Sequence, residues 1–244
     1  MKNSGKFFWL VLGGLILIPI ICLISFKAVV FHSSRSTGDI VVERKAPGKL
    51  VKEDYDFTNF NSIEVVGGWK IDVSYGEEFS IQAKYHENYA DDLLIEKRGQ
   101  TLYVGLANPD KKQYSMHKSG AYVSIVMPKI DYVDVEGGVD MNLENYNSDN
   151  IQFRIQGAGQ IIGNDCNFER LSLYIDGAGN FNFYDSRLTN ADVNVSGAAN
   201  IEINMNGGAL TGNLSGIAHL GYTGDVSRID VSKDGMSIIS KEDE

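Results

Sequence analysis

The sequence predicts an all-β fold: a single-stranded parallel β-helix-like stack of about 20-residue coils, capped by a strand-rich N-terminal region and preceded by one transmembrane helix. Three observations carry this. Glycine recurs at a fixed interval, with Gly137, Gly157, Gly177 and Gly197 each twenty residues apart, then Gly216 and Gly235 each nineteen. Apolar and polar residues alternate on both sides of these glycines. A run of twenty uncharged, mostly apolar residues stands near the amino terminus.

That run, FFWLVLGGLILIPIICLISF from Phe7 to Phe26, has the length a helix needs to cross a hydrocarbon core. Pro19 is tolerated because a spanning helix re-satisfies freed backbone groups locally. Lys2 and Lys6 make a basic start, but no small-x-small cleavage site follows, so residues 1–31 read as a short tip and an uncleaved signal anchor. A lipoprotein reading of Pro19-Ile20-Ile21-Cys22 fails at Ile21, where a small residue is required. Basic residues flank the span almost evenly, so charge does not set its orientation. Residues 32–54 lack a clear period and read as a mostly polar stalk.

Residues 55–130 form the strand-rich N-terminal part of the domain. SIEVV, WKIDVSY and FSIQAKY alternate with period two and are separated by Gly67-Gly68 and Gly76-Glu77-Glu78. This is the pattern of half-buried strands with turns between them. Leu93–Lys97, Thr101–Leu106 and Ala121–Met127 are further strands. His86–Asp92 has room for one helical turn, and Ala107–Gly120 reads as a long loop. Tyr55, Phe57 and Phe60 are placed under the first strands as part of a cap, because an uncapped stack offers unpaired strand edges.

Residues 131–240 hold the repeat. Upstream of the glycines lie apolar sets such as Ile151, Phe153 and Ile155, then Leu171, Leu173 and Ile175. Downstream lie pairs such as Phe181 and Phe183, then Ile201 and Ile203. Each unit is therefore strand, glycine turn, strand, second turn, with about five coils from Tyr132 to Ser240. No unit can bury its own apolar face, but stacked units bury a continuous interior, with equivalent residues about 4.8 Å apart. The glycines are structural, placed where the chain bends with positive φ. Asp140, Gln160, Asn180, Asn200 and His219 form a polar turn column. The tail, residues 241–244, is charged, as suits the end of a stack.

FNSIEVVG (Phe60–Gly67), VSYGEEFSIQA (Val73–Ala83), GQTLYV (Gly99–Val104), IVMP (Ile125–Pro128) and the glycine turns resemble the auto-transporter adhesin head, or GIN, domain family of bacteria. The resemblance extends over about Tyr55 to Ser240. It implies an extracytoplasmic β-helical domain with a role in adhesion and defines no catalytic residue. Val139, Ala199 and Ala218 replace the second glycine common in the family turn, and the membrane span favours tethering.

Composition excludes some functions. The chain has a formal net charge of −10, and Lys2, Lys6 and Lys27 precede His32, so the remainder is more acidic still. Such a surface repels nucleic acid, which needs basic patches. Of the two cysteines, Cys22 lies in the apolar run and Cys166 reads as a small buried side chain. Gly157-Ala158-Gly159-Gln160-Ile161-Ile162-Gly163 lacks the strand-to-helix context of a dinucleotide site, so no cofactor is expected. The four histidines share no ligand spacing and no metal is expected. The remaining candidate is a carboxylate pair. Asp165 and Asp185 occupy equivalent positions on neighbouring coils, near the ~5–5.5 Å separation of retaining glycosidases. Aspartates in such turns more often bond their own backbone and stand in a solvated turn; a calcium site bridging the pair is the other alternative, although calcium wants six or more oxygens.

The expected protein is thus a non-enzymatic, membrane-anchored envelope protein, with its C-terminal domain in the periplasm or at the cell surface. Its expected partners are the membrane, through the N-terminal helix, and a polysaccharide or envelope protein. The alternatives are a polysaccharide-acting hydrolase using the carboxylate pair and an envelope structural or stress-sensing module.

Overall fold

A computed structural model describes residues 48–107 and 121–242. The apolar segment Phe7–Phe26, most of the stalk and nearly all of the loop at Ala107–Gly120 lie outside the described residues. Among the described residues no helix is long and apolar enough to cross a membrane.

The domain is a β-solenoid of about six turns. Its first rung is β2 (Ser62–Tyr75), followed by β7 (Tyr132–Glu144), β8 (Asn147–Asn164), β9 (Asn167–Asn206), β10 (Ala209–Asp225) and β11 (Arg228–Lys241). These pair in parallel in that order. Gly67, Gly137, Gly157 and Gly177 are stacked in register, and Gly197, Gly216 and Gly235 continue the column. The twenty-residue period therefore measures one circuit of the chain.

The sequence places the first coil at Tyr132, whereas the structure begins the stack at Ser62. Ser62 pairs with Tyr132, so an excursion hides the register between the first two rungs. That excursion contains β3 (Ser80–His86), a 3-10 turn at Glu87–Asp92, β4 (Leu93–Arg98), β5 (Thr101–Leu106) and β6 (Tyr122–Met127). β5 pairs in parallel with the first half of β2 and β6 with its second half, so the two replace one broken coil. β3 then closes on β6, β1 (Leu50–Tyr55) on β3, and β4 on β5, all antiparallel. Antiparallel strands thus seal this end. Phe60 is buried against Phe79, with ring centroids 4.8 Å apart, and Tyr55 and Phe57 pack on the core margin.

The glycines have the positive φ expected where the chain bends: Gly157, Gly177 and Gly197 stand at 132°, 142° and 136°, and strand pairing runs through the bend. β9 accordingly continues unbroken for 40 residues. The kink aims both arms of a rung at one interior, filled by columns such as Val133, Phe153, Leu173 and Val193, all fully buried. Gly163 interrupts one column because the ring of Phe183 occupies the space a Cβ would need.

Candidate functional site

The second corner of each rung follows the downstream arm. Asn145 and Asp165 there adopt left-handed backbone, with φ of 63° and 51°, a conformation that short polar side chains tolerate. The next residues, Tyr146, Cys166 and Ser186, point inward and are buried. The Tyr146 hydroxyl is shared between the carbonyls of Ser74 and Met127 at 3.0 and 3.1 Å, and burial pushes its phenol well above the usual range. The Cys166 thiol donates to Asn164 O at 3.3 Å. Burial raises its pKa, so it is a packing residue rather than a reactive thiolate. Ser186 accepts from the Cys166 amide and donates to Gly163 O.

This corner holds the predicted carboxylate pair. A groove of about 500 Å³ is lined by Asp165, Asn167, Tyr184, Asp185, Arg187 and Asn204, with Cys166 and Ser186 among its buried lining. The main chains are joined, Asp165 N–H donating to Asp185 O at 3.0 Å. Both side chains are exposed, and among the described residues no hydrogen bond to either carboxylate is present. A retaining hydrolase encloses its proton-donating carboxyl in apolar walls; here the walls are polar and open. Among the described residues no group of three or more His, Cys, Asp or Glu is placed to hold a metal ion.

The polar column is not a set of turns. Asp140, Gln160, Asn180, Asn200 and His219 stand on paired strands. Asn200 donates to Asn180 at 3.0 Å, and His219 bonds Asn200 through Nδ1 at 2.9 Å and Ser240 through Nε2 at 2.8 Å. Asn180, Asn200 and His219 are thus committed to a ladder, while Asp140 lies 3.8 Å from Lys70.

A second groove, of about 430 Å³, went unmarked in the sequence. It crosses four rungs on the outward face of the upstream arm, lined by Arg154, Tyr174, Asp176, Asn194, Asn213 and Ser215 among others. Asp192 organises it: one carboxylate oxygen accepts from Tyr174 Oη at 3.2 Å and Asn194 Nδ2 at 3.0 Å, the other from Thr211 Oγ1 at 3.2 Å. Arg154 lies beside Asp134, 3.9 Å away. The result is a partly exposed aromatic ring held by its hydroxyl among amides, hydroxyls and charges. Its sequence signal was the non-apolar set at the third position before successive glycines (Arg154, Tyr174, Asn194, Asn213), which alternation records only as polar.

A solenoid with open polar grooves along its rungs defines a class of protein, the β-solenoid repeat domains. The particular family follows: residues 59–204 match the sequence model described as "Putative auto-transporter adhesin, head GIN domain", and the chain belongs to that family. Among solved structures, it resembles a putative adhesin from Bacteroides fragilis NCTC 9343, with 18% identity and a TM-score of 0.65 over 80% of this chain and 99% of that one. It also resembles a putative lipid binding protein from Parabacteroides distasonis ATCC 8503, with 16% identity and a TM-score of 0.51 over 80% and 98%. At these identities the likeness shows the fold. A comparison with curated proteins gave no match.

Proposed function

We propose that this is a non-enzymatic, adhesin-type interaction domain, displayed outside the cytoplasm and tethered by the apolar segment Phe7–Phe26. The groove spanning four rungs takes an extended surface or envelope polysaccharide. The observation that carries this reading is the Asp192-anchored Tyr174, which offers a ring face beside hydrogen-bonding groups on neighbouring rungs. A sugar presents the matching pair of surfaces, an apolar face and a rim of hydroxyls. Rungs about 4.8 Å apart repeat the contact along a polymer, so many weak contacts add through multivalency. The acidic chain is unsuited to nucleic acid. The family membership supports adhesion as the role.

The test is retention of the protein on a panel of bacterial and host polysaccharides, with new chain ends scored in parallel. Retention without cleavage is expected, with Tyr174→Ala weakening it about tenfold or more, as loss of an aromatic anchor does. Asp165→Asn with Asp185→Asn should leave retention unchanged. New chain ends that disappear in Asp185→Asn would overturn this reading and make the first groove a hydrolase site.

A further inference from the structure

The two ends of the solenoid are not alike. β1, β3, β6 and β4 seal the end where the described chain begins, whereas among the described residues β11 pairs only with β10. β11 is exposed along most of its length. The large apolar side chains left in solvent concentrate here: Ile229 is 46% exposed, Met236 71% and Ile238 58%, with Ile217 of the preceding rung at 54%. Val231 and Ile239 occupy core columns but are only half covered. An open edge is a template for another strand, although Lys233 stands in the core column of Val195 and Leu214.

We infer that a second copy of this chain covers it, with β11 pairing antiparallel to β11 of the partner copy about a two-fold axis through Gly235. The kink at Gly235 divides the rung into two arms of nearly equal length, Arg228–Asp234 and Met236–Lys241. A two-fold axis through the kink exchanges the arms while keeping the inward faces on one side. In this register Val231 meets Ile239 of the other copy, and Arg228 meets Glu242. No like charges are opposed. Neighbouring registers that keep the faces matched fail: one sets Asp234 against itself, another Asp230 against Glu242, a third Lys233 against itself. Like charges directly opposite destabilise a sheet pair. The exposed Ile217 and Met236 are adjacent across the last two rungs and fall beside the axis, where each copy's pair is covered by the other's.

The sealed end selects the symmetry. A head-to-tail contact would run on into a filament, but the capping strands leave no parallel rung for β11 to continue. Tail-to-tail pairing is isologous and closes at two copies. It also joins copies displayed on two facing surfaces. The inference does not depend on the polysaccharide reading, since it uses a different face.

The experiment uses the full chain in detergent, with Cys22→Ser in every variant. Met236→Cys places two thiols about 7–8 Å apart across the diagonal. A short bis-maleimide should join them into a species of twice 26.9 kDa, while Glu77→Cys at the sealed end should not cross-link. Val231→Lys with Ile239→Lys should abolish the cross-link and halve the mass in sedimentation. Arg228→Glu should weaken association about tenfold, and Arg228→Glu with Glu242→Arg should restore it, which a folding defect would not. A wild-type monomer at 100 µM would overturn the inference, as would equal cross-linking at positions 77 and 236. A dimer that persists in Val231→Lys with Ile239→Lys would assign association to another segment, such as Phe7–Phe26, and would equally refute it.

Discussion

A Cβ on Gly177 would run into the carbonyl oxygen of Gly157 on the rung before it, and the φ of 142° at this position is itself hostile to L side chains. Gly177→Ala therefore pays twice, in backbone strain and in separating two rungs. It should cost about 3 kcal/mol or more, read as a fall in the urea midpoint. Gly99 is the contrast. It lies in the β4–β5 turn with φ of 62° and open space where a Cβ would stand, so Gly99→Asn should cost under about 1 kcal/mol. If the two substitutions cost the same, backbone conformation rather than the stacking of rungs would be the reason for the glycine column. At this scale the repeat was legible in the sequence, because φ > 0 is a demand that one residue type meets best. That strand pairing continues unbroken through these bends was not legible, since a glycine letter names no hydrogen-bond partner.

Among elements, the junction between the first rung and its cap is the most informative. Tyr122 of β6 donates to Asp72 of β2 at 2.5 Å, and Asn142 of β7 donates to the other oxygen of the same carboxylate at 2.8 Å. Burial, then the bond to Asp72, raises the Tyr122 phenol from 10.0 to about 12. The folded state therefore holds this proton more tightly than the unfolded chain does. The resulting stability is present in full below pH 10 and is lost as pH rises from about 10 towards 12. Chemical denaturation from pH 8 to 11.5 should show stability falling above pH 10. Tyr122→Phe should be less stable at pH 8, with a shallower fall above pH 10. An unchanged slope in the variant would move the alkaline sensitivity to another raised phenol, such as Tyr85 beside Glu53, also at about 12. None of this pairing was visible in the sequence, because Asp72 and Tyr122 are joined by an excursion whose path sequence periodicity does not record.

For the whole molecule, stability should be close to a sum over rungs and their interfaces. Deleting residues 158–177 joins Gly157 to Ala178, which takes over the register position of Ala158. The product should be a shorter folded solenoid, with strand circular dichroism retained and Tm lowered by less than about 10 °C. Deleting only residues 158–167 puts the apolar sets of the following rungs out of register with the kink and should prevent folding. If both deletions unfold the protein, the rungs are not the independent units their spacing implies. The grooves belong to this scale as well. The carboxylate pair could be named from sequence because Asp165 and Asp185 stand one period apart. The Tyr174 groove could not, because Arg154, Tyr174, Asn194 and Asn213 become a surface only once the rungs are stacked.

By itself the sequence determined the period, the inward columns and the glycine column, hence a stacked β fold and its family. These are properties of one circuit of chain, and local alternation with a fixed repeat writes them directly. Tertiary structure alone decided that Ser62–Tyr75 is the first rung, that β5 and β6 together make a broken coil above it, and that one end is sealed while the other is open. Those outcomes depend on pairings between distant segments, where the backbone hydrogen bonds that fix neighbours leave no mark in residue type. The functional surfaces follow the same division. Single polar residues were legible, but their assembly into a groove or a self-complementary edge came from the stacking that brings successive circuits side by side.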